Sequence, residues 1–363
     1  MGCRAHSAAV TDLSVAIGGV RLKNPLICGA GEHVMSAAGI ESALSAGAGA
    51  VVAKSANESE AARRQLDRTD YALLDAQWRR LPWAFAPPPD ATLFCRSGLA
   101  QQPFPEWLEM VARLDRAARA QDSYVVASLI LADLERGAAM AGEVEAAGIR
   151  VLELNIGAPH GGEAAPGAIT LEREAGRVAA IVARIRAATR LPLWVKLTGQ
   201  SEDVAALAAA ARAAGADAVT LMGRFMGFVP DLETMAPLLG TNAAIGGAWA
   251  LPLTCRWLAL ARRRLGPAAP LIATNGARSG EDIARFLLAG ASAVQMTSAI
   301  FTGGFGVVPR ALDELRDYLA RQRCHAADLI GKAADRLQSY GEQPSRPGYW
   351  KAFVAPGGVG DDV

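Results

Sequence analysis

The sequence predicts an α/β fold, a (β/α)8 TIM barrel with an N-terminal β-hairpin and a long insertion after the second strand. Three observations point there. Short runs that are apolar throughout alternate with Ala-rich amphipathic stretches between about residues 25 and 321. Runs of that kind need burial on both faces, which parallel strands between helices receive. There are eight of them, a number that suits a closed barrel better than an open doubly wound sheet. Gly47, Gly148, Gly215 and Gly290 each stand shortly before the next run, where a left-handed residue closes a helix.

Taken in order, residues 14–23 read as a hairpin turning at Gly18-Gly19, suited to closing the barrel bottom. Strands are expected over 26–29, 50–54, 124–131 and 151–156, then over 193–197, 218–222, 271–274 and 293–297. Helices are expected over 37–46, 105–120, 134–147, 171–189, 201–214, 254–265, 279–289 and 308–321, with a long loop before the helix at 254. Residues 57–123, containing Pro87-Pro88-Pro89, form an excursion on the active face. It reads either as a lid or substrate-facing subdomain, or as a surface or oligomer-contact insertion. The barrel is assigned to residues 1–323 and a helical tail to 324–363, its Gly-rich end expected to fray.

Composition narrows the function classes. Half the residues are hydrophobic (51%), enough for a large core. Lys plus Arg number 37 against 36 Asp plus Glu, so no electrostatic case exists for nucleic acid or an acidic membrane. No apolar stretch of about eighteen residues is present to span a bilayer, and the N-terminus lacks a secretory-type apolar segment, so a cytoplasmic location is expected. Five scattered cysteines form no CxxC pair, and the four histidines form no HExxH motif; no metal site is expected within the chain.

Barrel chemistry sits at the carboxyl ends of strands. The first such tip, Cys28 to His33, contains Ala30 and Gly31, small enough for a flat ligand to approach the backbone. Lys54 and Lys196 each end an apolar run and point into the mouth, which suggests an anionic or electron-rich ligand. Asn275-Gly276 after the seventh strand and Thr297-Ser298 after the eighth occupy the place where barrels build phosphate sites. The residues alone therefore indicate a phosphate-bearing ligand on a barrel.

Several stretches in order carry a family resemblance: 19–26, Leu152-Glu153-Leu154-Asn155, Val195-Lys196-Leu197 and Ile245-Gly246-Gly247. The strongest are 275–282 and 288–296. Together they resemble the dihydroorotate dehydrogenase superfamily of FMN barrels, which includes the dihydropyrimidine dehydrogenases. The likeness covers roughly residues 13–320 and is weakest over 57–123. Arg224-Phe225, the segment 231–234, Leu251-Pro252-Leu253 and Tyr349-Trp350-Lys351 look more like the family's uncharacterised dihydroorotate dehydrogenase-like branch.

The resemblance implies FMN across the barrel mouth. Ala30-Gly31 would flank its ring system, and Lys54-Ser55 and Lys196 would touch its polar edge. Asn155 would bond flavin or substrate. Gly246-Gly247, Asn275-Gly276 and Thr297-Ser298 would supply phosphate-binding amides. A lysine at that edge is sensible, because flavin reduction puts negative charge there. The resemblance also implies a homo-oligomer, a small-molecule substrate, and NAD(P)H or an electron-transfer partner subunit at the flavin.

The family's strand-four motif, Asn-x-Ser-Cys/Ser-Pro-Asn/His, is here Asn155-Ile156-Gly157-Ala158-Pro159-His160. Ala158 occupies the base position and cannot move a proton. Gly223 aligns with the family's pyrimidine-holding Asn, and the Asn-rich loop after strand two is not evident in 69–78, so dihydroorotate is a poor expectation as substrate. The expected function is an FMN-dependent oxidoreductase acting on a CH–CH or C=C bond of a small polar cyclic or carboxylate substrate. Its catalytic candidates are His160, Lys54, Asn155 and Arg224. His160 could supply the proton, with His33, Glu32 and Glu163 in reserve, and Arg224 could pair with a substrate carboxylate. Two alternatives stay open: a catalytically silent flavin-binding or scaffold subunit, and a flavin-free Schiff-base aldolase or lyase using Lys54 or Lys196.

Overall fold

The computed structural model describes residues 11–158 and 172–355. Eight parallel strands close a barrel in sequence order: Leu26–Cys28, Ala50–Val52, Tyr124–Leu129, Leu152–Asn155, Leu193–Lys196, Ala218–Leu221, Leu271–Thr274 and Ala293–Met296. The eighth returns to the first through the pair Met296↔Cys28. Every predicted strand is present.

The predicted helices follow as Ala37–Ser45, Phe104–Ala118, Leu134–Ala146, Ala175–Arg186, Val204–Ala213, Leu251–Leu265, Gly280–Leu288 and Val307–Gln322. Short polar side chains start several of them: Ser36, Asp133, Asp203 and Ser279 each accept a hydrogen bond from a first-turn backbone N–H. Caps of this kind are each worth about 1 kcal/mol. All four predicted helix-ending glycines have positive φ, from 78° at Gly148 to 113° at Gly290, where a side chain would be strained.

The N-terminal hairpin pairs Val15–Ile17 with Val20–Leu22. A Cβ on Gly18 would lie 2.7 Å from the carbonyl oxygen of Asp217, just before the sixth strand begins at Ala218. The hairpin turn therefore packs at the amino-terminal end of the barrel. Among the described residues beyond 323 there are one short helix, Ala326–Leu329, and three 3-10 turns. No helix among the described residues is long and apolar enough to cross a membrane.

The excursion at 57–123 and the segment after strand six build one structure. Strands Asp70–Leu74, Arg80–Leu81 and Thr92–Arg96 come from the first, Phe225–Gly227 and Ala243–Gly246 from the second. They form a five-stranded antiparallel sheet in which Gly246 pairs with Leu93. What the sequence suggests is a plain loop before the helix at 254 thus contains two strands of this cover sheet. Alternation explains its two faces. Leu73, Leu93, Cys95 and Ala244 pack together on one face with Tyr71 and Phe301, while Ala72, Leu74, Phe94, Ala243 and Ile245 share the other with Val229 and Leu239.

Candidate active site

Lys54 leaves the second strand fixed from behind. The indole Nε1 of the fully buried Trp107 donates to the Lys54 carbonyl oxygen at 3.0 Å. The Lys54 ammonium lies 3.2 Å from Glu32 Oε1, and the Tyr71 hydroxyl donates to that same oxygen at 2.8 Å. Burial opposes ionisation of Glu32, but Lys54, the Tyr71 hydroxyl and Arg224 outweigh it and hold its carboxyl at about 2. Burial pulls Lys54 below the usual lysine range, with Glu32 opposing. Nearby, burial holds His33 at about 4, so this ring is neutral near pH 7.

The second lysine is fixed through the barrel interior. Lys196 Nζ donates to Gln295 Oε1 at 2.9 Å, and the Gln295 amide donates to the buried carboxylate of Glu153. Ser128 Oγ donates to Glu153 at 3.2 Å and lies 2.8 Å from Ser55 Oγ. Lys196 and Ser55 are thereby joined by one polar chain. An ammonium has three donors, and the bond to Gln295 uses one. Burial lowers the Lys196 pKa and Glu153 counters it.

The tips of strands seven and eight form the third wall. Asn275 and Gly276 both have positive φ, 69° and 124°. A Cβ at Gly276 would come within 2.6 Å of the Leu251 backbone, so glycine is required there. A Cβ at Gly246 would lie 2.8 Å from Asn275 Oδ1, so the cover backbone approaches this tip closely. The buried Asn275 Nδ2 has no hydrogen-bond partner, a cost unless a ligand supplies an acceptor.

Arg224 stands where the chain leaves strand six for the cover. Its guanidinium donates to Cys95 Sγ through Nη1 and to Ser97 Oγ through Nη2, both at 2.6 Å. It forms no ion pair with a carboxylate among the described residues. Burial pushes the Cys95 thiol up, and Arg224 opposes that rise. Opposite, Ala158 packs with Ala62, Leu99 and Ile130, so the strand-four position is apolar.

These groups line one cavity of about 1240 Å³, open solvent at its mouth included. The structure brings together Ala30, Gly31, Lys54, Ser55, Asn155, Lys196, Arg224, Gly246, Asn275, Gly276, Thr297 and Ser298 on its wall. Gly247 is not on the wall; a Cβ there would meet Trp249 and Thr92. His160 and Glu163 lie outside the described residues. Sequence reasoning missed Gln295, Glu153, Tyr71, Cys95 and Ser97. The first two left a signal, since each is a polar residue inside a strand that is otherwise apolar and buried. The last three had none, because their placement depends on how the cover strands pair.

No cluster of metal-ligating residues occurs among the described residues. FMN fits the wall. The unpartnered Asn275 amide and the tight Gly246–Asn275–Gly276 backbone can receive a phosphate, and two buried lysines can face an electron-rich ring edge.

The sequence model of the family described as dihydroorotate dehydrogenase matches residues 84–319. Among curated proteins, a dihydroorotate dehydrogenase A (fumarate) of Lactobacillus helveticus is 32% identical over 154 residues, 42% of this chain and 48% of its own. The catalytic subunit of a dihydroorotate dehydrogenase B (NAD(+)) from Bacteroides fragilis is 31% identical over 185 residues, 50% of this chain and 59% of its own. Its counterpart from Desulforudis audaxviator is 32% identical over 227 residues, 61% of this chain and 71% of its own. The chain spans about half the length of the Lactobacillus enzyme it matches. The chain belongs to the dihydroorotate dehydrogenase family, whose cofactor is FMN.

Proposed function

We propose that this family member is an FMN-dependent oxidoreductase acting on a CH–CH or C=C bond of a small substrate bearing a carboxylate, or a polar ring of similar charge. One observation carries the reading: Lys54 is matched by Glu32 and Lys196 is relayed to Glu153, while Arg224 faces the same cavity with a thiol and a hydroxyl as its direct contacts and no carboxylate at ion-pair distance among the described residues. A buried guanidinium with no carboxylate in direct contact favours an anionic ligand, and it has more N–H donors than the two that Cys95 and Ser97 take up. Bound FMN supplies hydride chemistry. Lys54, Ser55, Asn155 and Lys196 orient its ring edge, Ala30 and Gly31 admit its plane, and Gly246, Asn275, Gly276, Thr297 and Ser298 hold its phosphate.

Ala158 sets this chain apart from the family's strand-four chemistry, because a methyl group neither gives nor takes a proton. With Gly223 where the family places a pyrimidine-holding Asn, the substrate is a carboxylate other than dihydroorotate. Electrons would pass to fumarate-like acceptors or to an NAD-linked partner subunit, the two arrangements that the relatives' names carry. The chain would act in the cytoplasm as a homo-oligomer.

Reconstitution tests the reading. The purified chain is expected to bind FMN, shown by flavin absorbance that survives gel filtration. Orotate, fumarate and cyclic unsaturated carboxylates are expected to perturb that spectrum, and uncharged pyrimidines are not. Failure to retain FMN would overturn the proposal. Retention without response to any carboxylate would favour a silent flavin-binding subunit.

A further inference from the structure

Adding or removing hydrogen across a carbon–carbon bond needs a group that moves a proton, and the usual strand-four position holds Ala158. Searching the wall for another, Tyr71 is committed as donor to Glu32, and Glu32 is itself locked to Lys54. Ser97 is bonded to Arg224, but an alkyl hydroxyl is a weak acid with no base beside it. Cys95 remains. It sits on the cavity-facing side of the cover sheet with Leu93, opposite the strand tips, and the Arg224 guanidinium touches its sulfur.

We infer that Cys95 is the proton-transferring residue, and that a substrate carboxylate docked on Arg224 presents its neighbouring carbon to the Cys95 sulfur. This rests on the flavin-oxidoreductase reading above and names the acid/base group of that same site. In the reductive direction the S–H bond breaks and its proton joins the carbon next to the one receiving hydride. The electron pair of the C=C bond makes the new C–H bond, a reduced flavin being the hydride source. Sulfur keeps its electron pair as a thiolate against the guanidinium, and water restores the proton. In the oxidative direction the thiolate removes the same proton. One guanidinium thus serves both tasks, holding the carboxylate and stabilising the thiolate that the proton transfer creates.

Iodoacetate tests this geometry, because it is a carboxylate whose neighbouring carbon alkylates a thiol. In the FMN-loaded protein, Cys95 is expected to be labelled by iodoacetate with saturation, about tenfold to a hundredfold faster than by the neutral iodoacetamide. Peptide mass mapping reads the site. Arg224→Gln is expected to abolish that preference and to move the onset of labelling to still higher pH, since the guanidinium opposes the rise that burial imposes on the thiol. Cys28, buried outside the cavity wall, should show no preference between the reagents. Cys95→Ser should slow deuterium transfer from solvent to any carboxylate the enzyme reduces by roughly 10² to 10⁴, while flavin absorbance is retained. The inference is overturned if iodoacetamide labels Cys95 as fast as iodoacetate, if Cys95 is not labelled by either, or if deuterium transfer survives in Cys95→Ser and is lost in His160→Asn. Loss of FMN before any labelling would instead sink the underlying reading, and the absorbance spectrum separates the two failures.

Discussion

Lys54 and Arg224 line the same cavity, one at the tip of strand two and the other where the chain leaves strand six for the cover sheet. Lys54 has a carboxylate 3.2 Å away, and that carboxylate is also held by the Tyr71 hydroxyl. Arg224 is bonded only to a thiol and a hydroxyl. Charge on the rim is therefore compensated within the protein and exists before any ligand arrives. Charge under the cover is left for a ligand to complete. On the proposed function the rim would serve as a fixed electrostatic platform, as a cofactor retained through every turnover requires, and the cover would receive an exchangeable anion.

If the rim pair is self-compensating, removing one partner should be costly. Lys54→Met leaves the buried Glu32 without its cation and is expected to lower stability by about 3–5 kcal/mol, measured by urea denaturation. Adding Glu32→Gln should recover much of that loss. A single-variant cost below about 1 kcal/mol would mean the rim is not the preset element described here.

Acid should break the rim in two stages. His33 has its pKa depressed to about 4 by burial, so the stability it contributes is present above its unfolded value of about 6.5 and is lost as pH falls from there towards 4. Glu32, held at about 2, contributes stability above its unfolded value of about 4.3 and loses it as pH falls towards 2. Each is worth roughly 3 kcal/mol. A denaturation series from pH 7 to 3 should show the first decline near pH 6.5, absent in His33→Phe. A flat profile down to pH 5 in the native chain would contradict the neutral buried imidazole.

On the cover side the signature is the reverse. Arg224→Gln is expected to weaken carboxylate binding by about 1.5–3 kcal/mol while leaving FMN content and chemical stability close to those of the parent. Flavin spectral titration with orotate or fumarate reads it. An equal loss of FMN would show that Arg224 belongs with the platform after all.

The barrel was legible because each of its strands declares itself locally. Val51-Val52 or Val219-Thr220-Leu221 needs no partner to read as a buried parallel strand, and the glycine before it marks the preceding helix end. Strand-tip residues such as Lys54, Lys196 and Asn275 inherit that legibility, since their position follows from the strand. The excursion over the active face was legible as such, but the pairing that builds its cover sheet was not. Gly246 pairs with Leu93 across about 150 residues, and Phe225–Gly227 and Ala243–Gly246 are too short to announce themselves without that partner. Which of Leu93, Phe94 and Cys95 faces the cavity is set by that register, because a slip of one residue would turn Cys95 to the other face. The thiol on the wall is thus a product of long-range pairing, as is its contact with Arg224.

The smallest expected effect sharpens the comparison most directly. Ala158→Cys returns a thiol to the strand-four position, where the side chain packs with Ala62, Leu99 and Ile130. Adding one sulfur to a partly exposed alanine should change stability by no more than about 0.5 kcal/mol. Oxidation of dihydroorotate by the FMN-loaded variant is expected to stay at the parent's level. Gly223 offers no side chain to hold a pyrimidine, and on the inference above Arg224 with Cys95 sets where a carboxylate and its reacting carbon would lie. A gain in dihydroorotate turnover would show that the rim thiol alone decides the reaction, and that the cover contributes shelter but no chemistry. No gain, with carboxylate binding preserved, would show that a strand-four thiol is not enough for dihydroorotate and that the substrate has diverged.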